Sequence, residues 1–112
     1  MDPTIDVLHS ALNGLMTRQS VLANNIANGS TPGFQASQVD FETALRQAIG
    51  NGTAPPMNAA TISPTNAVSN QDGNNENIDA DTLSLAQTEL SYQAMINAVN
   101  GQFSILKTSI EG

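Results

Sequence analysis

Apolar residues recur at alternating spacings of three and four along the first part of the chain: Ile5, Leu8, Leu12, Leu15, Leu22 and Ile26, with Gln19 in a polar slot. This heptad seam predicts a helix over residues 3–28, roughly 39 Å long at about 1.5 Å per residue. Asp2 and Pro3 start it, a carboxylate for an orphan amide followed by a residue that needs no hydrogen bond in the first turn. Asn28 and Gly29 are placed to end it, because both tolerate the left-handed conformation that closes many helices. A second seam runs through Ile78, Leu85, Tyr92, Ile96, Val99, Phe103, Leu106 and Ile110, with Thr82 and Glu89 in polar slots. It predicts a helix over residues 79–110, with Asp79 and Asp81 as capping acids that favour the positive end of the helix dipole.

Between the seams the pattern changes. Thr31, Pro32 and Gly33 spell a turn: proline presets the first central position and glycine is free to take positive φ at the second, with Phe34 leaving as an apolar anchor. Asp40 is placed to cap a short helix in which Phe41, Leu45 and Ile49 share one face before Gly50 stops it. Residues 50–77 are rich in Asn, Gly, Pro and Ser and show no period, so a flexible or disordered loop is expected there. No strand-like alternation is evident.

The expected fold is therefore all-α: two long terminal heptad helices pairing as an antiparallel coiled coil, a short third helix and a long flexible loop. Residues 1–49 hold the first helix, turn and short helix, residues 50–77 the loop, and residues 78–112 the last helix, the termini together forming one coiled-coil domain. Each long helix also carries a second apolar row: Val7, Ala11 and Val21 on the first, and Leu83, Ala86, Leu90 and Ala94 on the second. One partner helix cannot cover both rows, which predicts full ordering only on assembly. Gly14 and Gly101, inside the helices, mark either close approach of a neighbour or a local weak point.

Composition narrows the chemistry. Only 39% of the 112 residues are hydrophobic, with no Trp, one Tyr and three Phe, which leaves little material to enclose a pocket for a small-molecule substrate. The net charge of −7 sets ten carboxylates against Arg18, Arg46 and Lys107, a poor match for nucleic acid. No cysteine is present, and His9 is the one histidine, so no zinc set can form and no catalytic triad has a cleft to occupy. The run from Asp72 resembles a calcium loop, but its sixth position is Asn77 instead of glycine and its twelfth is Leu83 instead of glutamate. No catalytic residue, metal site or cofactor is expected. The first sixteen residues lack a basic leader and are interrupted by Asp2, Asp6 and His9, so neither a cleavable signal peptide nor a membrane span is expected.

The stretch Leu22, Ala23, Asn24, Asn25, Ile26, Ala27, Asn28, with Thr31, Pro32, Gly33 and Phe34, closes the first heptad helix. It resembles the signature of bacterial flagellar axial proteins, the rod, hook and hook-associated subunits. The small size, Val39, Asp40 and Phe41 after the turn, and the ending from Leu90 to Thr108 are similar to proximal rod subunits of the basal body. The resemblance implies a non-enzymatic rod subunit in a helical assembly that transmits torque from rotor to hook. It further implies export by the flagellar type III apparatus without a cleaved signal, and terminal helices that are largely unfolded before incorporation. The implied partners are other rod subunits, further copies of this chain, and the adaptor joining the rod to the inner-membrane ring. The alternatives are another rod subunit of the same family or, from a different class, a small secreted helical hairpin, which would want a Trp-x-Gly turn.

Overall fold

The heptad seams become the two longest elements. In the computed structural model, which describes residues 3–111, the elements are α1 (Pro3–Ala27), β1 (Ser37–Asp40), α2 (Glu42–Asn51), β2 (Thr61–Pro64) and α3 (Ile78–Glu111). α1 and α3 pack against each other along their length. His9, early in α1, lies beside Phe103, late in α3, with ring centroids 6.3 Å apart. Asn25, late in α1, meets Asp81 in the first turn of α3. The body measures 64 × 26 × 15 Å with a radius of gyration of 17.3 Å. A globular chain of this length has about 13 Å, so the shape is elongated and the core correspondingly thin. Among the described residues no helix is long and apolar enough to cross a membrane.

The core lies where α1 meets β1 and α2. Ala11, Leu15, Val39 and Phe41 are buried together, with Val21, Leu45, Ala60, Tyr92 and Met95 packed around them. Two members of the second apolar row of α1, Ala11 and Val21, are thus covered within the chain itself. The matching row of α3 is not: Leu83 is 61% and Leu90 73% exposed, and Ala86 and Ala94 are exposed as well. Gly14 belongs to this core. A Cβ there would fall 2.2 Å from the Phe41 ring, so the glycine lets the ring lie flat on α1, whereas Gly101 faces open space.

Several expectations need correction. The fold is not all-α: residues 37–40 and 61–64 form two strands, paired antiparallel in the register Ser37 to Pro64, Gln38 to Ser63, Val39 to Ile62 and Asp40 to Thr61. Four residues are too few to display a period of two, and each strand exists through its pairing. In α2, Ala48 is buried while Ile49 is 61% exposed, so the inward face is rotated by one residue. The N-cap position of α2 is Phe41, which makes no side-chain cap bond; Asp40, one residue earlier than expected of a cap, still serves the first turn, accepting the Thr43 N–H at 3.1 Å and hydroxyl at 2.7 Å. Those bonds, the hydroxyl first, hold Asp40 below the usual carboxylate range. α3 is capped by Asn77, whose Oδ1 accepts from the Ala80 N–H at 3.0 Å, and not by Asp79 or Asp81.

The seam is buried unevenly. Ile5, Leu15, Leu22 and Val99 are buried, and Leu8, Leu12, Ile26, Leu85, Tyr92 and Ile96 are half-buried. Phe103, Leu106 and Ile110, expected in the seam, are exposed. Phe103 lies beside His9 and yet stays 41% exposed, so α1 covers one side of this end of α3 and leaves the rest open.

Candidate functional site

α1 ends without a left-handed residue. Positive φ occurs at Gly33, Gly52 and Gly73 among the described residues, and not at Asn28 or Gly29, which corrects the expected helix stop. The chain instead tightens: Asn28 N–H donates to the carbonyls of Asn24 and Asn25, Gly29 N–H to Ile26 and Thr31 N–H to Asn28. Asn28 also works through its side chain, with Nδ2 donating to the Asn24 carbonyl at 2.8 Å and Oδ1 accepting from the Thr31 hydroxyl at 3.1 Å.

The turn over residues 31–34 then closes through Phe34 N–H to the Thr31 carbonyl at 3.2 Å, with Gly33 at φ +77°. Proline first and a positive-φ glycine second is the type II pattern. Thr31, Pro32 and Gly33 form an exposed apex, and Phe34 is half-buried beneath it.

What fixes the turn is a second loop. Gly33 N–H donates to the Asp72 carbonyl at 2.9 Å, and Asn75 N–H to the Phe34 carbonyl at 3.1 Å. Asn74, 1% exposed, donates from one amide nitrogen to the carbonyls of Asn28 at 2.9 Å and Thr31 at 2.8 Å. Asn75 Oδ1 accepts from Ala36 N–H at 2.7 Å, and Gln35 Nε2 donates to the Gly73 carbonyl at 2.6 Å. The two loops touch glycine to glycine: a Cβ on Gly73, itself at φ +84°, would lie 3.3 Å from the Gly33 Cα. Buried backbone groups must be paired, and here asparagine side chains pair them where a regular ladder would otherwise be needed.

Asn25 ties the same region to β1. Its amide brackets Ser37, accepting from the N–H and donating to the carbonyl, and also donates to Asp81 Oδ2. Glu76 completes the cluster with both carboxylate oxygens shielded and without a donor. Burial first, then the neighbouring Asp81, pushes Glu76 up to about 7.

Of the residues expected to form the turn motif, Asn25, Asn28, Thr31, Gly33 and Phe34 join this network. Ala23, Asn24, Ala27 and Pro32 are exposed, and Ile26 is half-buried. Sequence reasoning missed Asp72, Gly73, Asn74 and Asn75, although Asp72-Gly73 is itself a turn signal. It also missed Arg18, which reaches from α1 to Glu42 in a two-pronged pair at 2.8 and 2.9 Å, to the Val39 carbonyl at 2.6 Å, and over the Phe41 ring at 4.8 Å. Among the described residues no three His, Cys, Asp or Glu converge as a metal site.

The site thus consists of a shaped apex held by amides on an elongated helical body, beside an open apolar row along α3. Residues 5–35 match the family described as flagella basal body rod protein. The chain is 33% identical to the flagellar basal body rod protein FlgB of Bacillus subtilis (strain 168), over 97% of this chain and 94% of that protein. It is 31% identical to FlgB of Escherichia coli (strain K12), over 91% and 88% respectively, and 31% to FlgB of Borrelia hermsii, over 84% and 85%. The chain belongs to the flagellar basal body rod protein family, whose members are structural components and not enzymes.

Proposed function

We propose that this chain is a structural subunit of the proximal rod of the flagellar basal body. The observation that carries this reading is similarity to FlgB of B. subtilis along nearly the whole length of both proteins. In this reading α1 and α3 pair as an antiparallel coiled coil in the inner layer of a helical assembly that passes torque from rotor to hook. The contacts of His9 with Phe103 and of Asn25 with Asp81 support that direction of pairing. The exposed Leu83, Leu90, Ile105 and Ile110 support side-by-side packing with other subunits, since apolar rows of this kind favour burial. The motif from Ala23 to Phe34 directs the chain out of that layer toward neighbours. Those neighbours are other rod subunits and the adaptor at the inner-membrane ring, reached after export through the flagellar apparatus.

The test is genetic and structural together. Deletion of the gene abolishes motility and leaves basal bodies without a complete rod, and the wild-type gene restores both. Replacing Pro32 and Gly33 together with alanine leaves expression intact and blocks incorporation. Swimming cells with intact rods in the deletion strain would sink the structural reading.

A further inference from the structure

Four asparagines are followed directly by glycine: Asn13, Asn28, Asn51 and Asn100. Glycine has no Cβ to hold its amide nitrogen away from the preceding side chain, so such a step is open to attack of that nitrogen on the asparagine Cγ. The fold blocks the approach at three of the four. Asn13 and Gly14 lie inside α1, with the Asn13 amide donating to the Met57 carbonyl at 2.7 Å. Asn28 is held at both ends of its amide, by the Asn24 carbonyl at 2.8 Å and the Thr31 hydroxyl at 3.1 Å, while Gly29 N–H donates to Ile26. Asn100 is exposed, but α3 continues to Glu111 and keeps the Gly101 nitrogen within its ladder. Asn51 differs. It is the exposed last residue of α2, and its side-chain amide meets no partner among the described residues. Gly52 is the left-handed cap at φ +68° with open space around it, and its N–H reaches back into the last turn at 3.2 Å from the Ile49 carbonyl. Helix ends fray at almost no free-energy cost, whereas interior positions open only with the helix around them.

We propose that Asn51 is a site of spontaneous covalent modification, at which the Gly52 nitrogen attacks the Asn51 side chain and the amide is converted to a carboxylate. As the end of α2 frays, Gly52 N–H gives its proton to solvent and the nitrogen bonds to Asn51 Cγ. The Cγ–Nδ2 bond breaks, and Nδ2 takes up a proton and leaves as ammonia. Water then adds to either carbonyl carbon of the cyclic imide and opens it. One opening leaves aspartate, and the other leaves isoaspartate, in which the main chain runs through the former side-chain carbon. No oxidant or reductant is needed. The change falls on a defined contact, because Ile49, Gly52 and Thr53 line one apolar cleft with Thr4, Val7 and Leu8 of α1. A carboxylate at the C-terminal end of α2 opposes the helix dipole. Isoaspartate also lengthens the main chain by a methylene and displaces the bonds from Gly52 to Ile49 and from Thr53 to Ala48. Modification thus loosens the end of α2 from the start of α1 and leaves the 31–34 turn untouched.

Peptide mapping by mass spectrometry tests it on the full-length chain, incubated in mildly alkaline buffer at a trimethylamine N-oxide concentration that brings the helical circular dichroism signal to its plateau. The mass gain of an amide-to-acid exchange is expected at Asn51 about tenfold or more faster than at Asn13, Asn28 or Asn100. Part of the product is isoaspartate, read by enzymatic methylation of isoaspartyl carboxylates. In urea, where the fold no longer distinguishes the four steps, their rates converge. Asn51→Gln, whose longer side chain closes the imide far more slowly, removes the product at this position with helix content unchanged. Asn51→Asp, the simpler of the two products, speeds amide exchange at Gly52 and Thr53 and leaves Gly33 as it was. Equal rates at the four asparagines under folding conditions, a faster step at any of the other three, or an Asn51 lead that persists undiminished in urea overturns the assignment of Asn51. Unchanged exchange at Gly52 and Thr53 in Asn51→Asp overturns the loosening of α2.

Discussion

The Asn25 carboxamide stands in for a strand beside Ser37: its Oδ1 accepts the Ser37 N–H at 3.1 Å and its Nδ2 donates to the Ser37 carbonyl at 2.8 Å. A helix side chain thereby satisfies the inner edge of β1, the edge that β2 does not pair. Asn25→Ala leaves both Ser37 groups without partners in a site where Asn25 itself is 1% exposed. The expected loss is about 2–3 kcal/mol. It is read as a higher trimethylamine N-oxide midpoint for the helical circular dichroism signal of the full chain. Asn25→Asp is expected to be worse at neutral pH, because it cannot donate to Ser37 and adds a charge beside Asp81. A midpoint unchanged in both variants would show that the bracket contributes nothing.

Two glycines in the middle of helices should respond in opposite directions. Gly14→Ala drives a methyl into the Phe41 ring, and overpacking of this kind costs about 1–3 kcal/mol. Gly101→Ala meets nothing and gains about 0.5–1 kcal/mol of helix stability. Adding Phe41→Leu to Gly14→Ala should recover part of the loss, a non-additivity expected of touching residues. Additive losses would place the problem elsewhere.

Acid should weaken the Arg18 and Glu42 pair. The hydrogen bond from Arg18, ahead of the other causes, holds Glu42 below the usual range. A folded value below the unfolded one contributes stability above the ordinary glutamate range and loses it as pH falls through the folded value. Because the Glu42 side chain is 48% exposed, the contribution stays below about 1 kcal/mol. Arg18→Lys keeps the charge but loses the fork and the flat contact with Phe41. The acid limb of the stability profile should flatten in Arg18→Ala and be intermediate in Arg18→Lys. Identical limbs in all three proteins would remove the pair from the account.

At the loop contact, Gly73→Ala forces an L side chain into φ +84° against the Gly33 backbone. The backbone conformation alone costs about 1–2 kcal/mol. Faster amide exchange at Gly33 and Asn75 is the expected readout, with α1 protection unchanged. Unaltered exchange would mean the loops hold together by other contacts.

Much of this architecture was written in periodicity, and the parts that were not share a physical cause. The seams of α1 and α3 repeat over many turns, so helix type and approximate ends are legible, as is the turn at Pro32 and Gly33. β2 is not legible, because Ile62 is its one large apolar residue and its existence depends on Val39 across the sheet. The docking of Asn74 and Asn75 was hidden for a related reason: Asn-rich composition reads as loop, and only three-dimensional proximity turns those amides into staples. Ile49 was misplaced because its neighbour Ala48, smaller and equally apolar, takes the buried position. The solvent-facing end of the seam at Leu106 and Ile110 is likewise hidden, because one helix's pattern does not say how much of it a partner covers.

The two long helices are unequal, 34 residues against 25, a difference of roughly 13 Å at about 1.5 Å per residue, so α1 cannot cover α3 over its full length.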